Sequence, residues 1–116
     1  MRHRKKKITL GREKAQRDAL LRNLAESLIL HEGIVTTKAK ARALRMFIEP
    51  LVTKARHAKP NAQALISKSL YTGKAVKKLV TEIGPRYKDR DGGYTRIIKM
   101  GHRANDKGEK VKIEFV

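Results

Sequence analysis

The stretch RYKDRDGGYTRIIKMGHR, residues 86–103, sets six Lys and Arg around an adjacent glycine pair and the tyrosine that follows it. Gly92 and Gly93 strip side chains from a short length of backbone. That backbone can then approach another chain closely, or take the positive φ of a tight turn. Tyr94 offers a ring for stacking on an exposed base or ribose. Arg86, Arg90, Arg96, Lys99 and Arg103 surround these residues with positive charge. The chemistry this combination suggests is recognition of a polyanion rather than bond breaking. A hairpin turn with a core tyrosine would account for the glycines and the ring, but not for the cations.

Three other groups share that character. Arg2, Arg4, Lys5, Lys6 and Lys7, with His3 among them, have nothing apolar to fold against. They read as an extended basic arm over residues 1–10, disordered when alone and gaining phosphate affinity by releasing condensed counterions. Arg12, Arg17, Arg22 and Asn23 belong to the first helix, near enough to the arm for both to clamp one backbone. Thr36, Thr37 and Lys38 lead into Lys40 where a second helix begins. Hydroxyls, free amides and the positive helix end there attract phosphate, and capping alone is the simpler role.

The elements that must position these groups follow from the apolar spacing. Leu20, Leu21, Leu24, Ala25 and Leu28 predict a helix over 12–32, with Asp18 and Arg22 able to pair and Gly33 just past the end. Ile34 through Thr37 make a short strand. Leu44, Ile48, Leu51, Val52 and Ala55 mark a helix from about 39 to 56, kinked at Pro50. Asn61 is placed to cap a third helix over 62–71. A fourth, over 74–83, turns Lys77 and Lys78 outward and stops at Gly84-Pro85. Residues 94–100 and 111–116 read as strands joined by a long polar loop. The expected fold is a single α+β domain over 11–116, helix–strand–three helices–two strands, with a small mixed three-stranded sheet packed on helices.

Bulk properties agree with a binding protein. The chain of 116 residues has 29 Lys plus Arg against 11 Asp plus Glu, a net charge of +18. The excess is spread along both halves, and a pI near 10.7 is the electrostatic footprint of a nucleic-acid binder. No cysteine is present, which excludes disulfides and thiol chemistry. Uninterrupted apolar runs stop at three residues, too short for a membrane span or a signal peptide, so a cytoplasmic location is expected. His3, His31, His57 and His102 lack close metal-ligand spacing, and no phosphate-loop or dinucleotide motif occurs. Neither an enzyme, a cofactor nor a small-molecule substrate is expected.

MRHRK at the start, ALLRNLAESLILHEGIVTTKAKARALRMFIEPLVTKAR at 19–56 and GPRYKDRDGGYTRIIKMGHR at 84–103 resemble the bacterial large-subunit ribosomal protein L-seventeen family. The resemblance spans nearly the whole chain and departs at Gln16, where members usually have His, and at Asn105, where they usually have Gly. It implies a structural constituent of the large ribosomal subunit, bound to large-subunit (23S-type) ribosomal RNA beside proteins of the L-twenty-two and L-thirty-two types. Position by position, it implies RNA contacts at Arg2, His3, Arg4, Lys5, Arg17, Arg22, Asn23, Thr36, Thr37, Gly92, Gly93, Tyr94, Thr95, Arg96 and Arg103. The alternative reading is a helix-turn-helix DNA binder over residues 62–83, whose would-be reading helix has no Asn, Gln or Arg for base edges.

Overall fold

In a computed structural model that describes residues 13–57, 61–102 and 108–116, the first three elements follow one another almost without a break. Helix α1 (Lys14–His31) is separated by Glu32 alone from strand β1 (Gly33–Thr37), and β1 runs straight into helix α2 (Lys38–Arg56). Glu32 ends α1 in the left-handed conformation at φ 63°, its amide donating to the Leu28 carbonyl at 2.7 Å. The sequence suggested Gly33 as the stop. Gly33 instead lies in the sheet, where a Cβ would stand 3.1 Å from Lys112 Cε. Thr37 caps α2, its Oγ1 accepting from the Lys40 amide at 3.4 Å, and α2 continues through Pro50.

Helix α3 (Ala62–Ser67) is shorter than the expected 62–71, and Asn61 makes no side-chain cap. Thr72 takes that role for the next helix, accepting from the Ala75 amide. This helix begins with α-turns at Gly73–Lys78, widens to a π-helical turn at Leu79–Ile83 and ends in an α-turn at Gly84–Arg86. The three segments are continuous and together form α4. Gly84-Pro85 therefore does not stop the helix as expected. The wider turn precedes Pro85, which lacks an amide hydrogen in any case.

Strands β2 (Thr95–His102) and β3 (Glu109–Phe115) complete a sheet of order β1-β3-β2, in which both pairings are antiparallel. The expected mixed sheet is thus wrong, because the last strand inserts between the other two and runs against each. Register puts Ile34, Ile113 and Ile97 on one face and Val35, Lys112 and Ile98 on the other. A bulge at Met100, with Gly101 at φ 95°, bends the outer end of β2.

The core lies between the inner sheet face and the helices, with α2 at its centre. Leu44, Ile48, Leu51, Val52 and Ala55 are buried there beside Leu79, Ile83, Val111 and Ile113. In α1 only Ala25, Leu28 and Ile29 are buried, while Leu20, Leu21 and Leu24 are half-covered. At Gly84 the helices α4 and α2 touch: a Cβ there would fall 2.7 Å from the carbonyl carbon and oxygen of Ala55.

Candidate functional site

The segment Lys88–Gly93 links α4 to β2, and every residue in it is exposed. Its two flanks are not. Tyr87 and Tyr94 are buried with ring centroids 5.3 Å apart, and Phe115 lies 6.4 Å from Tyr87. Tyr87 Oη donates to the Val116 carbonyl at 2.7 Å, and burial pushes its phenol pKa up. The Val116 amide donates to the Tyr94 carbonyl at 2.9 Å. A polar hexapeptide is thus held at both ends by aromatic side chains packed in the core.

Helix α2 holds the same loop from below. Glu49 accepts from the Tyr94 amide at 3.0 and 3.3 Å, and from the Thr95 hydroxyl at 3.4 Å. Thr53 Oγ1 donates to the Glu49 carbonyl and lies 3.1 Å from Tyr94 Oη, so it can accept the phenol proton. Arg56 donates to the Arg90 carbonyl and, at 3.0 Å, to Asp91 Oδ1. These residues stand four and three apart, which places them on one face of the helix.

The glycines are presented outward. Gly93 sits at φ 61°, and nothing lies within 4 Å of a Cβ built on either Gly92 or Gly93. Arg90 Nε donates to the Gly92 carbonyl at 3.2 Å, leaving the guanidinium exposed beside the glycines. Tyr94 requires a correction: its ring is completely buried and cannot stack on a base, because it anchors the loop. Thr95 is buried as well, with its hydroxyl turned to Glu49.

Several other cations have protein partners. Arg86 meets Glu32 at 2.5 Å, and Lys78 reaches Glu32 at 3.4 Å and the Leu30 carbonyl at 3.0 Å. Lys78 is therefore turned inward, contrary to its expected outward position, whereas Lys77 is exposed. The Arg86 hydrogen bond holds the Glu32 carboxyl below its usual range. Arg96 pairs with Glu114 at 2.8 Å and likewise lowers its pKa. Lys38 pairs with Glu109 at 3.5 Å. Arg22 does not pair with Asp18; it covers the Tyr71 ring at 5.4 Å, a contact the spacing along one helix could not show.

Lys14, Arg17, Lys40, Arg42, Arg45, Lys54, Lys88, Arg90 and Lys99 have no carboxylate within 4 Å among the described residues. Arg17 and Lys14 border a groove between α1 and α2, floored by Leu21, Ala43, Met46 and Phe47. Lys40 shares another with Thr36 and Thr37, while Asn23 is exposed on α1. Arg2, His3, Arg4, Lys5, Lys6, Lys7, Arg12 and Arg103 lie outside the described residues. Sequence reasoning missed Glu49, Thr53 and Arg56. Their spacing on α2 was legible, but not the loop they meet.

Among the described residues no group of three His, Asp or Glu could hold a metal, and no helix is long and apolar enough to cross a membrane. The fold and its surface define a small, strongly cationic α+β domain displaying a braced glycine loop. The chain belongs to the ribosomal protein L17 family, whose model matches residues 20–116. A protein of Gemmatimonas aurantiaca called large ribosomal subunit protein bL17 is 50% identical over 116 residues, covering 100% of this chain and 98% of the relative. The protein of the same name from a Sulfurihydrogenibium species is 50% identical over 117 residues, covering 100% and 97%. One from Bacteroides fragilis is 47% identical over 116 residues, covering 100% of this chain and 72% of its own.

Proposed function

We propose that this chain is a structural constituent of the large ribosomal subunit and binds large-subunit ribosomal RNA. Family membership carries the ribosomal role. The exposed glycine loop, with Lys88, Arg90 and Lys99 having no carboxylate within 4 Å among the described residues, supports RNA as the immediate ligand. The contact set comprises Gly92, Gly93, Arg90, Arg96 and Lys99 at the loop and β2. Arg17, Arg22 and Asn23 contribute from α1, and Thr36, Thr37 and Lys40 from the start of α2. The arm over residues 1–10, Arg12 and Arg103 complete it, and Lys38 and Arg86 retain partly exposed side chains for a second contact.

The mechanism is scaffolding: many phosphate contacts pin separate RNA segments, and the basic arm orders as it threads between them. The protein resides in the cytoplasm within the subunit, beside proteins of the L-twenty-two and L-thirty-two types. A DNA-reading role for residues 62–83 finds no support in the relatives. The turn at Tyr71-Thr72 is also tied to α1, since Glu26 accepts from both amides at 2.7 and 2.5 Å.

Affinity for a large-subunit ribosomal RNA transcript, measured across salt concentrations, tests the mechanism. A steep fall is expected, with about 0.7–0.9 of logarithmic slope for each phosphate contact. A flat response would reject it.

A further inference from the structure

The geometry points to Glu49, Thr53 and Arg56 as positioning residues that set the shape of the Gly92–Gly93 backbone for its RNA contact, an assignment that rests on the RNA-binding reading above. A loop of exposed polar residues with two glycines has many conformations of similar free energy. Fixing it on binding costs entropy that a pre-shaped loop has already lost. Here the shape is set from one helix face. Glu49 takes the amide immediately after the glycine pair, Thr53 meets the Tyr94 phenol, and Arg56 grips the carbonyl and carboxylate just before the pair.

The carboxylates of this region lie at two levels: Asp89 and Asp91 are exposed in the loop, Asp91 being held by Arg56, and Glu49 lies below them. The Glu49 carboxylate is half-buried and turned to the Tyr94 amide and the Thr95 hydroxyl, beneath the loop. Above it, neither glycine amide has an acceptor among the described residues. Those amides and the Arg90 guanidinium are left for a phosphate oxygen. Glu49 itself touches no RNA in this assignment; it acts through the backbone it holds.

A double-mutant cycle on the full chain tests this, using a large-subunit ribosomal RNA transcript at fixed salt and a temperature well below each variant's melting point. Gly92→Leu adds a side chain where nothing lies within 4 Å, so it leaves the fold intact while blocking close approach of the backbone. Gly92→Leu and Glu49→Ala are each expected to weaken binding about tenfold, and the double variant also about tenfold. Faster hydrogen exchange at the Tyr94 amide should accompany Glu49→Ala. Losses that multiply to about a hundredfold, or wild-type affinity in Glu49→Ala, would overturn the positioning role. If Glu49→Ala does not fold, Thr53→Val replaces it, with an expected weakening of about threefold that disappears in the Gly92→Leu background. A wild-type chain indifferent to the transcript overturns both this assignment and the RNA-binding reading. Multiplying losses in a chain that does bind overturn this assignment alone.

Discussion

Gly84 and Gly92 lie within one short stretch and do opposite things. At Gly84 the missing side chain lets α4 touch the backbone of α2, so the space a Cβ would need is already filled by Ala55. At Gly92 that space is open, and the bare backbone faces away from the protein. One glycine is required by the protein's own packing; the other is free of any such requirement.

Substitutions can break or sharpen that contrast. Gly84→Ala should have the largest effect, lowering unfolding free energy by about 3 kcal/mol in denaturant titration, because the obstruction is backbone that cannot rotate away. Tyr94→Phe keeps the ring and removes its bond to Thr53, for a loss of about 1.5 kcal/mol in the same measurement. Gly93→Ala meets no neighbour but must hold φ 61°, which should cost about 1 kcal/mol.

Glu32→Gln bears on how α4 is held to the end of α1. Because the folded carboxyl pKa lies below its unfolded value, its ion pairs stabilise above the unfolded pKa, and that contribution disappears as pH falls through the folded one. The pair is partly exposed, so the variant should lose about 0.5 kcal/mol at neutral pH. The gap from wild type should close in thermal melts taken at progressively more acid pH. Gly92→Leu should have the smallest effect on stability, within about 0.5 kcal/mol, while its RNA affinity drops. A Gly92→Leu protein that unfolds like Gly84→Ala would erase the contrast.

The helices and strands were legible because their apolar spacing repeats locally. The stripe from Leu44 to Ala55 located α2, and the alternation of Val111, Ile113 and Phe115 located β3. Spatial order was not legible, since no local pattern says that β3 lies between β1 and β2. The α4 boundary was misjudged because Gly84-Pro85 is a strong stop locally, and tertiary packing against Ala55 overrides it. The glycine pair and its cations stood out by composition. Tyr94 did not declare its role, because an aromatic beside glycines fits a stacking platform and a core anchor equally well. Choosing between them needed the location of Thr53, Glu49 and Tyr87, far away in sequence.

The insertion of β3 between β1 and β2 also dictates an order of events during synthesis. When β1 leaves the ribosome its hydrogen-bonding partner is still to be made, and the later emergence of β2 gives it none. The helical layer, built from residues closer together in sequence, can collapse early, whereas strand pairing waits for residues 109–115 to be translated. A nascent chain halted just before them should therefore give helical circular dichroism but lack the protected strand amides of the finished protein.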